Sequence, residues 1–155
     1  MRGDSRVIDF LNAQLTQELT SVDQYVVPAA MFANWGYAKL HDRIAHEADD
    51  ERGHVVGLVD RILYLEGMPD VASRNSLAIG TDPRSMIEND LKYEIEVARS
   101  LNAGIALCRE VSDNGTLALL EGMLTDTERD HILWLQTQLH TIDEIGLKHY
   151  LAKQL

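Results

Sequence analysis

The chain is expected to fold as an all-α bundle of four long helices, with a short fifth helix at the C-terminal end. Apolar residues recur at spacings of three and four through four separate stretches, strand-like alternation is absent, and short Gly/Asn/Asp punctuation divides the stretches into pairs. With 155 residues, one domain spanning 1–155 is expected, long enough to bury a hydrophobic core without cross-links.

The first stripe reads Ile8, Leu11, Leu15, Leu19, Val22, Val26, and the second Leu40, Ile44, Val55, Leu58, Ile62, Leu65. The third is Ile87, Leu91, Ala98, Leu101, Ile105, and the fourth Leu117, Leu120, Leu124, Leu135, Leu139, Ile142. Asn34 to Gly36 separates the first pair and Asp113 to Gly115 the second, connections short enough to force antiparallel neighbours. Between the pairs, Gly67-Met68-Pro69 leads to Gly80-Thr81-Asp82-Pro83, where Asp82 suits an N-cap and Pro83 the first helical position. Roughly 17 extended residues reach about 55 Å, whereas a helix of about 28 residues is only ~42 Å long. The connection can therefore cross the whole bundle, which makes the second and third helices parallel in an up-down-down-up order. Beyond Gly146, Leu147 to Leu155 reads as the small fifth helix.

Composition narrows the function. A single cysteine, Cys108, excludes an internal disulfide and fits a reducing compartment. No long apolar run suggests a signal or a membrane span, so a soluble, cytoplasmic protein with no membrane partner is expected. With 25 acidic against 14 basic residues the formal charge is −11, which argues against nucleic acid as a partner and favours cations.

The apolar stripes are interrupted by carboxylates. Glu18 lies between Leu15 and Val22, Glu51 between Ile44 and Leu58, Glu94 between Leu91 and Ala98, and Glu128 between Leu124 and Leu135, so each helix is expected to put one glutamate on its core face. Two are followed three residues later by histidine, as Glu51-Arg52-Gly53-His54 and Glu128-Arg129-Asp130-His131, a spacing that projects both side chains in one direction from a helix. Glu18 precedes Glu51 by 33 residues and Glu94 precedes Glu128 by 34. The chain thus resembles two matched helix pairs, each giving one Glu and one Glu-x-x-His. Four ionised glutamates in a core cost several kcal/mol each unless paired, and two divalent cations cancel them. Oxygen-rich ligation with one imidazole per ion suits iron or manganese rather than structural zinc, and this is the ligand constellation of di-iron carboxylate bundles.

Beyond the six ligands, Met1-Arg2-Gly3-Asp4, Asn34-Trp35-Gly36, Leu65-Glu66-Gly67-Met68-Pro69, Trp134-Leu135-Gln136-Thr137-Gln138-Leu139 and the ending around Gly146-Leu147 resemble segments of the bacterioferritin family, with its ferritin-like fold. The resemblance implies a shell of twenty-four subunits, built from dimers around an iron-mineral cavity, with each subunit acting as a ferroxidase that oxidises Fe(II) with oxygen or peroxide. It also implies that Glu51 and Glu128 bridge two irons, with Glu18 and His54 completing one position and Glu94 and His131 the other. A ferredoxin-type reductase is the partner it implies for iron release. His46 and Asp50 match positions that bind inner-surface iron in some relatives, though both also read as ordinary solvated helix residues. Tyr25 and Trp134 stand near enough in sequence to the ligands to pass an electron, and packing is the alternative role.

One position departs from the family pattern. Bacterioferritins hold haem b between two subunits through a methionine immediately after the second-helix Glu, and here that residue is Arg52. The alternatives are no haem, haem ligated by a companion subunit that carries the methionine in a hetero-oligomer, or haem held weakly by another group; Met31, on another helix, matches a pocket-lining position. No cofactor-binding ligand to haem is therefore assigned in a pure homo-oligomer. Gly53, a poor helix former, suggests a close backbone approach. Two other readings stand beside the ferroxidase: a mainly structural subunit of a mixed shell, and a dimeric di-iron oxidase acting on an organic substrate.

Overall fold

The computed structural model describes residues 2–155; Met1, the first residue of the Met1–Asp4 segment, lies outside the described residues. Helix α1 spans Ser5–Asn34, α2 Ala38–Tyr64 and α3 Pro83–Glu110. The fourth long rod is continuous but composite: α4 (Asn114–Asp126), a π-helical segment (Thr127–Ile132) and α5 (Leu133–Ile145). A short α6, Leu147–Ala152, follows Gly146, whose φ of 80° ends the rod.

Aspartates cap the starts of α1, α3 and α4, the one before α3 as the sequence predicts. Asp4 accepts from the Arg6 amide and Asp113 from the Thr116 amide. Asp82 and Ser85 form a reciprocal capping box with Pro83 in the first turn, satisfying donors that a helix N-terminus otherwise leaves open.

Direction follows from long-range pairs. Gly3 donates its amide to Leu65 and His41 meets Ala29, so α1 and α2 are antiparallel. Gln14 pairs with Ser100 and Gln24 with Asp90, so α1 and α3 are antiparallel too. Helices α2 and α3 therefore run parallel. The chain between them lies along α1: Asn12 donates to the Met68 carbonyl, Thr20 accepts from the Asn75 amide, and Gln24 donates to the Ala78 carbonyl. This is the up-down-down-up bundle with one long crossover that the connection lengths predict.

The core has two apolar clusters. One gathers Leu11, Leu15, Leu58, Ile62, Leu101 and Leu120; the other is built around Tyr25, Phe32, Ile44, Met86, Leu135 and Tyr150. At about 1.5–3 kcal/mol per fully buried large apolar side chain, these clusters stabilise the bundle on either side of a polar waist. In the first cluster Gly104 lies directly under the Phe10 ring, which occupies the space a Cβ would take. Gly104→Ala is expected to cost about 1–3 kcal/mol through overpacking, lowering Tm by about 2–4 °C per kcal/mol. Thermal denaturation checks this, and an unchanged Tm would mean that the ring has room to swing aside.

Candidate metal centre

The polar waist is where the four rods face one another. Glu18 on α1, Glu51 on α2, Glu94 on α3 and His131 in the π segment are each at most 1% exposed, and the His54 side chain on α2 is 11% exposed. His54 Nδ1 lies 3.1 Å from Glu51 Oε2 and 3.4 Å from Glu18 Oε2. His131 Nδ1 lies 3.0 Å from Glu51 Oε1 and 3.3 Å from Glu94 Oε1. The two oxygens of Glu51 thus face one histidine each, and the two imidazoles stand 6.4 Å apart. Glu18, Glu51 and His54 form one compact ligand group, and Glu51, Glu94 and His131 a second that shares Glu51.

A surrounding layer orients these ligands. Ser100 donates to Gln14, and Gln14 donates to Glu18 Oε1 at 2.6 Å. The Tyr25 hydroxyl donates to Glu94 Oε1, and its ring stands edge-on to His131. His54 Nε2 meets Asp126 Oδ2 at 3.3 Å. A carboxylate on the far nitrogen sets the tautomer that leaves Nδ1 free for a metal.

Without cations the site is electrostatically frustrated. Burial, then the neighbouring Glu18 charge, holds the Glu51 carboxyl well above the usual range. Burial would raise Glu18 as well, but hydrogen bonds from Glu51, His54 and Gln14 outweigh it and leave that carboxyl lowered. For His54, burial opposes protonation, yet its contacts with Glu18 and Glu51 push it up to about 11. His131 is raised likewise: Glu47, Glu51 and Glu94 overcome the opposing effect of burial. Burial and three nearby carboxylates raise the Tyr25 hydroxyl, which keeps it a donor. Even so, Glu94 Oε2 is buried without a hydrogen-bond partner, and Glu18 Oε2 and both His131 nitrogens are held only by poorly aligned carboxylate–imidazole contacts. Buried polar atoms left open in this way are costly, and divalent ions, which take oxygen and imidazole donors, would satisfy them. The residues present fit a pair of such ions.

Glu128 departs from the expectation of a core-facing ligand: it is exposed, and Thr127 takes the inward place at 1% exposure. The cause is the π segment. Inward residues of the fourth rod run Thr116, Leu120, Met123, Thr127, His131, Leu135, so the last three steps all span four residues. Those steps take twelve residues where three α turns take about 10.8. A π turn absorbs the surplus by closing its hydrogen bonds one residue later. Within it Thr127, four before His131, shares the histidine's direction, and Glu128 is rotated out.

Sequence reasoning also missed Glu47, Asp126 and Asp90. Glu47 lies one turn before Glu51, is 2% exposed, and puts Oε2 2.7 Å from His131 Nε2. The 4-3 spacing of Glu47, Glu51 and His54 is a one-face signal that could have found it. Buried Asp90, raised well above its ordinary range chiefly by burial, accepts from Gln24. Nothing in its sequence context marks it.

The peripheral residues distribute as follows. His46 is exposed, with Nε2 3.4 Å from Asp50 Oδ2. Both belong to a groove of about 430 Å3 that also takes in Asp49, Asp126, Asp130 and His54, an acidic mouth leading to the centre. Gly53 lines the same groove, and a Cβ built there meets nothing within 4 Å. The close backbone approach expected at Gly53 is therefore absent within this chain. Arg52 is exposed and paired with Asp49 at 2.5 Å, beside an apolar groove that includes Val26, Ala29 and Ala45. Met31 is half-buried against the second apolar cluster. Trp134 packs there too, under the Arg43 guanidinium, 5.1 Å from the ring centroid.

Among the described residues no helix is long and apolar enough to cross a membrane. Residues 8–145 match the ferritin-like domain family. The chain is 42% identical over 155 residues to a bacterial ferritin of Pseudomonas aeruginosa, covering 100% of both chains. It is 42% identical over 155 residues to one of Neisseria meningitidis, again covering 100% of each. A bacterioferritin of Mycolicibacterium paratuberculosis is 41% identical over 153 residues, 99% of this chain and 96% of that one. The chain belongs to the ferritin-like family, among proteins of the bacterioferritin type.

Proposed function

We propose that this chain is an iron-storage subunit that binds Fe(II) in the polar waist, oxidises it there, and passes Fe(III) to a mineral held inside a shell of twenty-four subunits. The observation that carries the reading is the pair of ligand groups joined through Glu51, each with its own histidine and its own second carboxylate. Two Fe(II) ions each give one electron to dioxygen, which leaves as hydrogen peroxide after taking two protons, or to hydrogen peroxide, which takes two protons and leaves as two water molecules. Glu51 holds both substrate ions in one frame. Glu18 with His54, and Glu94 with His131, complete the two positions. The proton on Glu51 and those on the imidazoles leave as Fe(II) binds. Glu128 is exposed and outside this ligand set, and Thr127 in the inward place supplies no carboxylate, so the second position is the weaker one.

Aerobic addition of Fe(II) to the purified apoprotein tests the reading. The expected result is a rapid first phase of about two Fe(II) per subunit, followed by uptake far beyond that. Glu18→Ala and His54→Ala are expected to remove the rapid phase, while Glu128→Gln leaves it in place. Unchanged kinetics in Glu18→Ala and His54→Ala would refute the assignment. Gel filtration separates this reading from a dimeric di-iron oxidase: a particle of several hundred kilodaltons supports the shell, and a dimer supports the oxidase.

Haem is a separate matter. Arg52 cannot supply a thioether, and it is engaged with Asp49. Haem b therefore requires either a companion subunit that carries the methionine in a hetero-oligomer or a different ligand. The protein expressed alone with ample haem is expected to lack the low-spin spectrum of bis-methionine haem. Stoichiometric haem with that ligation in the visible spectrum would overturn this. Iron release is assigned to a ferredoxin-type reductase.

A further inference from the structure

Gln14 is an amide buried among leucines. It stands between Leu11 and Leu15 on α1, is 0% exposed, and lies one turn before Glu18. Burying an amide in apolar surroundings costs about 1–3 kcal/mol unless its polar atoms are paired, and here both are. From α3, Ser100 Oγ donates to Gln14 Oε1 at 2.8 Å, and Gln14 Nε2 donates to Glu18 Oε1 at 2.6 Å. The serine hydroxyl fixes the sense of the amide, with its oxygen toward α3 and its nitrogen toward the carboxylate; a reversed amide would set oxygen against oxygen. Ser100 itself lines a surface cavity of about 530 Å3 between α1 and α3, beside Ala13, Thr16 and Ala103. The two oxygens of Glu18 therefore have different surroundings. Oε1 is held by Gln14, and Oε2 is turned toward His54 Nδ1, 3.4 Å away. Glu94 is held differently: Tyr25 donates to Oε1, the same oxygen that faces His131 Nδ1. Only at Glu18 is the hydrogen-bonded oxygen drawn away from the imidazole.

We propose that Gln14, set by Ser100, is a positioning residue that confines Glu18 to one-oxygen ligation of Fe(II) and so leaves a coordination place at the first position for the oxidant. The proposal rests on the ferroxidase reading of the centre. A carboxylate can hold a cation through one oxygen or through both. To use both, Glu18 must give up a short hydrogen bond to an ionised acceptor, which is among the stronger kinds. Ser100 raises that cost, because Gln14 cannot turn with the carboxylate without losing the serine as well. The ion is then held by Glu18 Oε2, Glu51 Oε2 and His54 Nδ1, one donor atom from each residue. Without Gln14, Oε1 is free to close on the ion, which is then held more fully and meets the oxidant less readily.

Gln14→Leu tests the proposal, since leucine keeps the volume of the site and the Ser100 hydroxyl can turn to its cavity. The rapid phase of Fe(II) oxidation is expected to slow by about tenfold or more, while Mn(II), which takes the same donors, binds at least as tightly. A merely structural role would weaken binding and oxidation together, and that outcome overturns the proposal, as does an unchanged rate. Crystals of the assembled protein soaked in Mn(II) read the ligation directly. In the unaltered protein only Oε2 of Glu18 should lie within bonding distance of the ion, and in Gln14→Leu both oxygens should. Two-oxygen ligation in the unaltered protein, or one-oxygen ligation in both, overturns the role of Gln14 and leaves the centre standing. Absence of Mn(II) from Glu18, Glu51 and His54 overturns the centre as well. Ser100→Ala is expected to shift rate and ligation in the same direction as Gln14→Leu, and Ser100→Thr, which keeps the hydroxyl, to restore both. These two variants and the unaltered protein decide the matter if Gln14→Leu fails to assemble.

Discussion

Glu51→Gln is expected to abolish the rapid phase of Fe(II) oxidation while leaving the apoprotein as stable as before, or more so. Glu51 is shared by both ligand groups, with one oxygen toward each histidine, so its loss removes an anionic donor from both positions at once. Loss even of a partner that only orients ligands typically costs 10–100-fold in affinity or activity. Removing a shared ligand is therefore expected to slow the rapid phase by at least about 100-fold. Stability should move the other way. In the metal-free chain Glu51 is a buried carboxyl beside the Glu18 charge, and an amide of the same shape removes that frustration without opening a cavity. A gain of about 1–2 kcal/mol corresponds to a Tm increase of roughly 2–8 °C at this size. Stopped-flow oxidation and calorimetry on the same preparation check both halves. A variant that oxidises iron normally would show that Glu51 does not hold the ions.

Mn(II) is expected to bind more tightly, and to stabilise the fold more, as pH rises from 6 to 8. The folded apoprotein holds protons that the unfolded chain has released. His54 is raised from an ordinary 6.5 to about 11, so its contribution to stability is complete below 6.5 and disappears as pH climbs through 11. Glu51 is raised well above 4.5, so above 4.5 the folded state binds more protons than the unfolded state. Both make the stability of the apoprotein fall with rising pH. A cation must displace these protons, and each proton released per ion raises the apparent affinity about tenfold per pH unit. At least one per ion implies about 100-fold between pH 6 and pH 8. Calorimetric titration in two buffers of different ionisation enthalpy counts the protons directly. A pH-independent affinity would mean that the ligands bind without losing them.

What was legible in the sequence, and what was not, can be traced to particular residues. Helix periodicity, the cap at Asp82, the punctuation from Asp113 to Gly115 and the length of the crossover are local or chain-length properties. They determine four rods and their up-down-down-up order before any packing is known. The inward places of Glu18, Glu51 and Glu94 follow from the same periodicity, because each replaces a leucine on an unbroken α-helical stripe.

The fourth rod is where that logic ends. Its Glu-x-x-His spacing matches that of α2, but the 34 residues from Glu94 to Glu128, against 33 from Glu18 to Glu51, already contain one residue too many. Counting 33 from Glu94 reaches Thr127, the residue that faces inward. Linear spacing assumes a constant turn, and only the folded bundle decides where a surplus residue is taken up. Met123 and Leu135 must both stay buried, so the expansion falls between them, as the π segment at Thr127–Ile132. The recruitment of Glu47 and Asp126 is tertiary for a related reason: each is defined by which nitrogen of a histidine on another rod it meets. The sequence by itself determined the rods, their order and the carboxylates on uniform helices. The tertiary structure decided which side chain of the expanded turn faces the centre and which carboxylates close around its histidines, because those depend on packing between helices rather than on position along one.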